Sequence, residues 1–173
     1  SLSHYRAQGI TPQAMVNFLS LLGWNPGTAQ EIFTEDELIK QFNIKKIQKS
    51  GAIFNEEKLK WVNKEHLRLL PSLQVSGEIY NIVKNYYNTD IEYVKKLCPL
   101  ILDRISCFSD VIGLIEAGEL EFFFKRPDYE KNSLKWKGDS ELGITKRHLE
   151  HSLSLLEEIK EDQFTFDNVK QVL

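Results

Sequence analysis

Apolar positions along the chain recur at three- and four-residue steps almost throughout, the spacing of helices that bury one face. No run reads as a sheet strand. The clearest segment covers residues 54–68. Asn55 can cap it by offering its side-chain oxygen to an orphan backbone N–H. Glu56 and Glu57 complement the positive end of the helix dipole, and Arg68 lies near the negative end. Leu59, Val62, His66, Leu69 and Leu70 form the predicted buried stripe. Lys58, Lys60, Lys64 and Arg68 stay on the flanks with Trp61 among them, and Pro71 stops the run.

Ahead of this helix the pattern predicts a helical turn over 4–8, closed by Gly9 in the left-handed position. Thr11-Pro12 then opens a helix whose stripe is Ala14, Phe18, Leu21 and Leu22. Asn25-Pro26-Gly27 is a turn, Thr34 and Glu37 form a capping box, and 44–54 is a lysine-rich connector with a turn at Ser50-Gly51. Beyond Pro71 a helix is expected over 77–88, carrying Ile79, Ile82, Val83, Tyr86 and Tyr87. Thr89 and Glu92 predict a second capping box opening a helix to residue 106, which Pro99 should kink or split. Short helices follow over 109–116 and 120–124, then a polar loop over 126–140. Thr145 is expected to cap a helix reaching residue 161, and Thr165 a last one. The expected fold class is all-α, in two helical lobes over residues 1–70 and 71–173.

At 173 residues, 42% hydrophobic and 27% charged, the chain has the composition of a globular protein with a real core. No apolar run is long enough to cross a membrane, and no signal-peptide pattern opens the chain. Cys98 and Cys107 lack metal-ligand spacing and read as small buried residues of a reducing compartment. The first residues are Ser1-Leu2-Ser3, the only methionine is Met15, and the last apolar pattern has no stop signal. Both ends read as cut, and the chain as a piece of a larger protein.

The net charge of −3 argues against a nucleic-acid partner only until its distribution is considered. Residues 44–68 hold seven basic side chains (Lys45, Lys46, Lys49, Lys58, Lys60, Lys64 and Arg68) against three acidic ones. Such a patch can engage phosphates while the molecule stays acidic. An exposed tryptophan between lysines suits a nucleic-acid backbone and a base or ribose face. The same features also describe an ordinary half-buried helix with a solvated charged face.

Intrinsic catalysis is not expected. His148 and His151 lie three apart on a helix but have no third ligand cluster. Glu119 and Glu121 fall on different faces, Cys107 has no histidine near it in sequence, and no phosphate-binding loop occurs. Arg104 stands at a helix junction, where its planar fork could meet a base edge or bond the last helix carbonyls.

Four segments resemble bacterial-type glutamyl-tRNA synthetase in its C-terminal half. They are Tyr5-Arg6-Ala7-Gln8-Gly9-Ile10 with Thr11-Pro12-Gln13-Ala14; Asn17-Phe18-Leu19-Ser20-Leu21-Leu22-Gly23-Trp24; Glu31-Ile32-Phe33-Thr34; and Phe54-Asn55 with Lys58-Leu59-Lys60-Trp61-Val62-Asn63. They cover residues 5–63, and the remainder is similar in helix pattern. Gln48-Lys49-Ser50 is similar to a lysine–serine pair of the family near the connector.

The resemblance implies a stem-contact region over 1–70 and an α-helical anticodon-binding region over 71–173, with its end missing. It implies a class I parent that uses ATP to attach glutamate to its tRNA, with the catalytic domain, its ATP and its magnesium outside this chain. Lys58 and Trp61 match positions that touch the D-arm, and Arg104 one that reads an anticodon base in some members. Lys49, Lys60 and Lys64 are candidate phosphate contacts. No catalytic, cofactor or metal residue is expected in the chain itself. Implied partners are glutamate-specific tRNA and the parent's catalytic domain, with no DNA or membrane, in a cytoplasmic monomer. The alternative is a helical protein-interaction module, favoured by the acidic stretch over 150–167 and the sequence pI near 5.8.

Overall fold

A computed structural model describes residues 1–48, 53–138 and 141–173. It is all-helical: α1 (Leu2–Ala7), α2 (Pro12–Gly23), α3 (Glu35–Gln41), α4 (Glu56–Leu69), α5 (Ser72–Val83), α6 (Ile91–Leu102), α7 (Asp110–Glu116), α8 (Glu121–Phe124), α9 (Leu142–Glu157) and α10 (Phe166–Val172). Three single turns of 3₁₀ helix lie at Ile44–Lys46, Lys131–Leu134 and Glu161–Gln163. Among the described residues there is no β-strand, and one isolated antiparallel bridge joins Trp24 to Ile47. No described helix is long and apolar enough to cross a membrane. The chain divides into two compact units, Ser1–Arg126 and Pro127–Leu173.

In the first unit α2 packs on α4, closing a core of Ile10, Ala14, Met15, Phe18, Leu59, Val62 and Cys107. A smaller cluster of Trp24, Phe33 and Leu38 lies beside α3. A third gathers Leu67, Val75, Ile79, Val83, Val94, Ile101, Ile105, Val111 and Leu120, where α5 packs on α6 and α7. These clusters cross residue 70, with Cys107 in the first and Leu67 in the third, inside one compact unit.

Capping chemistry decides several boundaries. Thr11 accepts the N–H of Ala14, with Pro12 at the first helical position. The Thr34–Glu37 capping box forms in both directions. The box expected at Thr89 and Glu92 does not form: Asp90 caps α6, its Oδ1 accepting the Tyr93 N–H at 2.8 Å. A carboxylate there gains from the dipole as well as from the hydrogen bond. α6 runs unbroken through Pro99 and ends at Leu102, short of residue 106.

α5 begins at Ser72, before the expected start at Gly77. Its buried Val75, Ser76, Ile79 and Val83 outweigh the roughly 1 kcal/mol that a mid-helix glycine costs. In α4 the buried stripe is Leu59, Val62, Asn63, His66 and Leu67, whereas Leu69 is 59% exposed. The stripe turns because a polar residue, Asn63, is drawn inward by partners on other segments.

Gly9 holds a left-handed φ of +82°, and a Cβ there would lie 2.8 Å from the backbone N and the Cβ of Phe108. Only glycine allows 9–11 to lie against 106–109 so closely. In the second unit α9 pairs with α10 and with the turn at Lys131–Leu134. Thr145 does not cap α9. It is a buried residue inside that helix, and its Oγ1 accepts a 3.4 Å bond from the Trp136 N–H.

Candidate nucleic-acid interface

α4 carries most of the predicted cations. Asn55 Oδ1 accepts the Lys58 N–H at 3.0 Å, which fixes the first turn. With one face buried, the opposite sector must face solvent, and Trp61 lies there with 41% of its surface exposed. Lys64 and Arg68 follow at helical spacing on the same sector. Lys58 and Lys60 are about 200° apart around the axis, so they occupy opposite flanks.

Each flank has its own partners. Lys58 Nζ forms an ion pair with Glu31, from the loop that follows the Asn25–Gly27 turn. That loop is anchored from below. Asn17 Nδ2 donates to the Glu31 carbonyl at 3.0 Å, while its Oδ1 accepts the Phe33 N–H at 2.8 Å and lies 2.9 Å from His66 Nε2. Because Oδ1 can only accept, Nε2 must carry the proton. Burial holds the His66 imidazole below its ordinary pKa.

On the other flank Lys64 Nζ donates to the Asp103 carbonyl at 2.8 Å. Arg68 reaches both Glu65 (3.0 Å) and the Asp103 carboxylate (3.2 Å). Lys60 has no ion-pair partner among the described residues. Asp103 caps α6 directly before Arg104, so α4 grips the turn that bears the predicted reading arginine.

Arg104 is 46% exposed, and its Nη2 pairs with Glu119. Glu119 is set by the end of α7. Gly118 takes a left-handed φ of +73°, the Gly118 N–H bonds Ile115 and the Glu119 N–H bonds the Leu114 carbonyl, a closed Schellman turn. Arg104 therefore presents a guanidinium oriented from one side by a carboxylate. Lys49 lies outside the described residues.

Sequence reasoning gave no site role to Glu31, Asn63 or Asp103, and weighed Glu119 only as a carboxylate pair with Glu121. Asn63 alone gave a signal: an amide on an otherwise apolar face. It is fully buried, accepting from Thr11 N (2.8 Å) and Thr11 Oγ1 (3.1 Å) and donating to the carbonyls of Ser106 (2.7 Å) and Gly9 (3.4 Å). Cys107 is buried too. Burial pushes its thiol pKa up, with the Asp110 carboxylate adding to the rise, so the reactive thiolate is disfavoured. No three His, Cys, Asp or Glu converge as metal ligands among the described residues.

Comparison with known proteins bears on the chain's family. The family model for class I tRNA synthetases (E and Q), catalytic domain, matches residues 1–61. A glutamate–tRNA ligase of Flavobacterium johnsoniae is 33% identical across 99% of this chain and 32% of its own length. One from Phocaeicola vulgatus is 35% identical with the same coverages. A crystal structure of a glutamate tRNA ligase from Elizabethkingia meningosepticum, in complex with its amino acid, superposes with a TM-score of 0.70. It is 28% identical and covers 97% of this chain and 32% of that one. This chain thus spans about a third of the length of these relatives. The matched stretches span nearly the whole chain, and the chain belongs to the glutamate–tRNA ligase family.

Proposed function

We propose that this chain is the tRNA-gripping and anticodon-reading segment of a glutamate–tRNA ligase, a class I enzyme that attaches L-glutamate to its tRNA using ATP. Residues 1–70 form the stem-contact part and 71–173 the anticodon-binding part, in a cytoplasmic monomer with no DNA or membrane partner. ATP and magnesium belong to the catalytic domain outside this chain. The chain's own residues bind and discriminate. The observation that carries the reading is Trp61, an indole left 41% exposed on a capped helix whose other face is buried, with cations on both sides. Such an indole suits stacking on a base or ribose, and the cations suit phosphates.

In this reading Lys58 and Trp61 meet the D-arm, Lys60, Lys64 and Lys49 meet phosphates, and Arg104 meets an anticodon base edge with Glu119 as its buttress. A bidentate arginine contributes roughly 1–3 kcal/mol of discrimination against a wrong base. Phosphate contacts give affinity that falls with salt and carries no sequence preference. Arg104→Ala should therefore reduce preference for the cognate anticodon by about tenfold or more while changing general tRNA affinity less. The Lys58→Ala/Lys60→Ala pair should weaken binding to all anticodon variants alike and flatten the salt dependence. Binding of tRNA anticodon variants at several salt concentrations separates the two effects. Unchanged ratios in Arg104→Ala, with an unchanged slope in the lysine pair, would defeat the reading.

A further inference from the structure

Between the Asn25–Gly27 turn, the loop after it and the start of α4 lies a cleft of about 450 Å³. Trp24, Thr28, Gln30, Glu31, Gln48 and Lys58 line it. Two ammonium groups lie at or beside it with charge in hand. Among the described residues, Lys58 Nζ is balanced by Glu31. Lys46 Nζ lies 3.1 Å from the carbonyl of Pro26, another lining residue, and a carbonyl accepts one N–H without neutralising the ammonium.

The Lys58 ammonium in the cleft wall, with the Lys46 ammonium at the adjoining Pro26 carbonyl, complements an anion with several acceptor oxygens. Glu31 supplies the anion in the free chain, and it does so from a fixed base. Its backbone carbonyl is held by Asn17, itself locked by Phe33 N and by the buried His66.

We propose that this cleft seats a backbone phosphate of the bound RNA, and that Glu31 stands in for that phosphate until RNA displaces it from Lys58. The proposal rests on the RNA-binding reading above and adds to it a negative determinant of affinity. A half-exposed lysine–glutamate pair is weak in water, so the exchange is easy. What persists is the carboxylate's repulsion of the incoming phosphate. At about 5 Å and the dielectric of water this corresponds to about fourfold in binding.

The test is tRNA binding to the protein at several salt concentrations, comparing wild type with Glu31→Gln, Lys58→Ala and the double variant. Glu31→Gln leaves the main-chain carbonyl that Asn17 holds. It should bind tRNA about fourfold more tightly, with a steeper salt dependence, and the double variant should lose that gain. A gain in affinity cannot come from misfolding. If Lys58→Ala weakens binding while Glu31→Gln is neutral or weaker, the phosphate seat is refuted and the RNA reading stands. A gain that survives in the double variant also refutes it, because Glu31 would then act away from Lys58. If no variant changes binding, the cleft and the RNA surface on this flank both fail.

Discussion

Replacing Asn63 with alanine should be among the most damaging single changes in the first unit. The amide lies at zero exposure where three segments meet: the cap of α2, the middle of α4 and the turn after α6. Truncation leaves the Thr11 N–H, previously bonded at 2.8 Å, buried without an acceptor. The Ser106 carbonyl, bonded at 2.7 Å, also loses its donor. Each orphaned group costs about 1–3 kcal/mol, and the vacated volume adds a little. The sum is about 3–5 kcal/mol, a large share of the 5–15 kcal/mol typical of a domain.

The control is Leu69→Ala. The apolar repeat marks Leu69 as a core residue, yet it is largely exposed, so its loss should stay within about 0.5 kcal/mol. Urea unfolding followed by tryptophan fluorescence, in a Trp136→Phe background, reports the first unit through Trp24 and Trp61. A loss below about 1 kcal/mol for Asn63→Ala, or an equal loss for Leu69→Ala, would refute the account of this joint.

Gly9→Ala forces a side chain into the left-handed region and against Phe108 backbone, so about 2–4 kcal/mol should be lost. Gly77→Ala, in open space within α5, should instead gain about 0.5–1 kcal/mol, and urea midpoints of the two variants should move in opposite directions. His66 gives a pH dependence. Its folded-state pKa is lowered by burial, so its contribution is complete above the ordinary value of 6.5 and declines as pH falls below it, until the folded imidazole also titrates. The urea midpoint should therefore drop between pH 7.5 and 5.5 more steeply in wild type than in His66→Gln, and equal slopes would rule this out.

Local chemistry made most of the helices legible. Thr11-Pro12, Thr34 with Glu37, Asn55 and Thr165 each cap the helix they announce, because a cap depends on residues within one turn. The misread boundaries have equally local rivals or tertiary causes. Asp90 lies next to Thr89 and is the better acceptor beside a helix dipole. A helix start at Gly77 is the natural reading only while the burial of Val75 and Ile79 on α6 and α7 is unknown. Thr145 resembles a cap, but Leu142 starts the helix a turn earlier. Asn63 shows the limit most plainly, since its inward turn depends on Thr11 and Ser106, 52 and 43 residues away.

The site follows the same rule. A count of charges over 44–68 gives an excess of four, but the field depends on where each charge finds its opposite. Lys58 is answered by Glu31, 27 residues earlier, and Arg68 by Glu65 and by Asp103, 35 residues later. Neither pairing is visible in composition. Among the described residues, Lys64 and Lys46 bond carbonyls, at Asp103 and Pro26, so their charge persists, and Lys45 and Lys60 have no carboxylate. The uncompensated positive field therefore lies on the Lys60–Lys64 flank of α4 and along the Lys45–Lys46 turn. On that ground Lys60→Ala should reduce the salt dependence of tRNA binding more than Arg68→Ala does, because removing an already paired guanidinium releases fewer counterions. The reverse order in the measured slopes would mean that the pairs around Asp103 open when RNA binds.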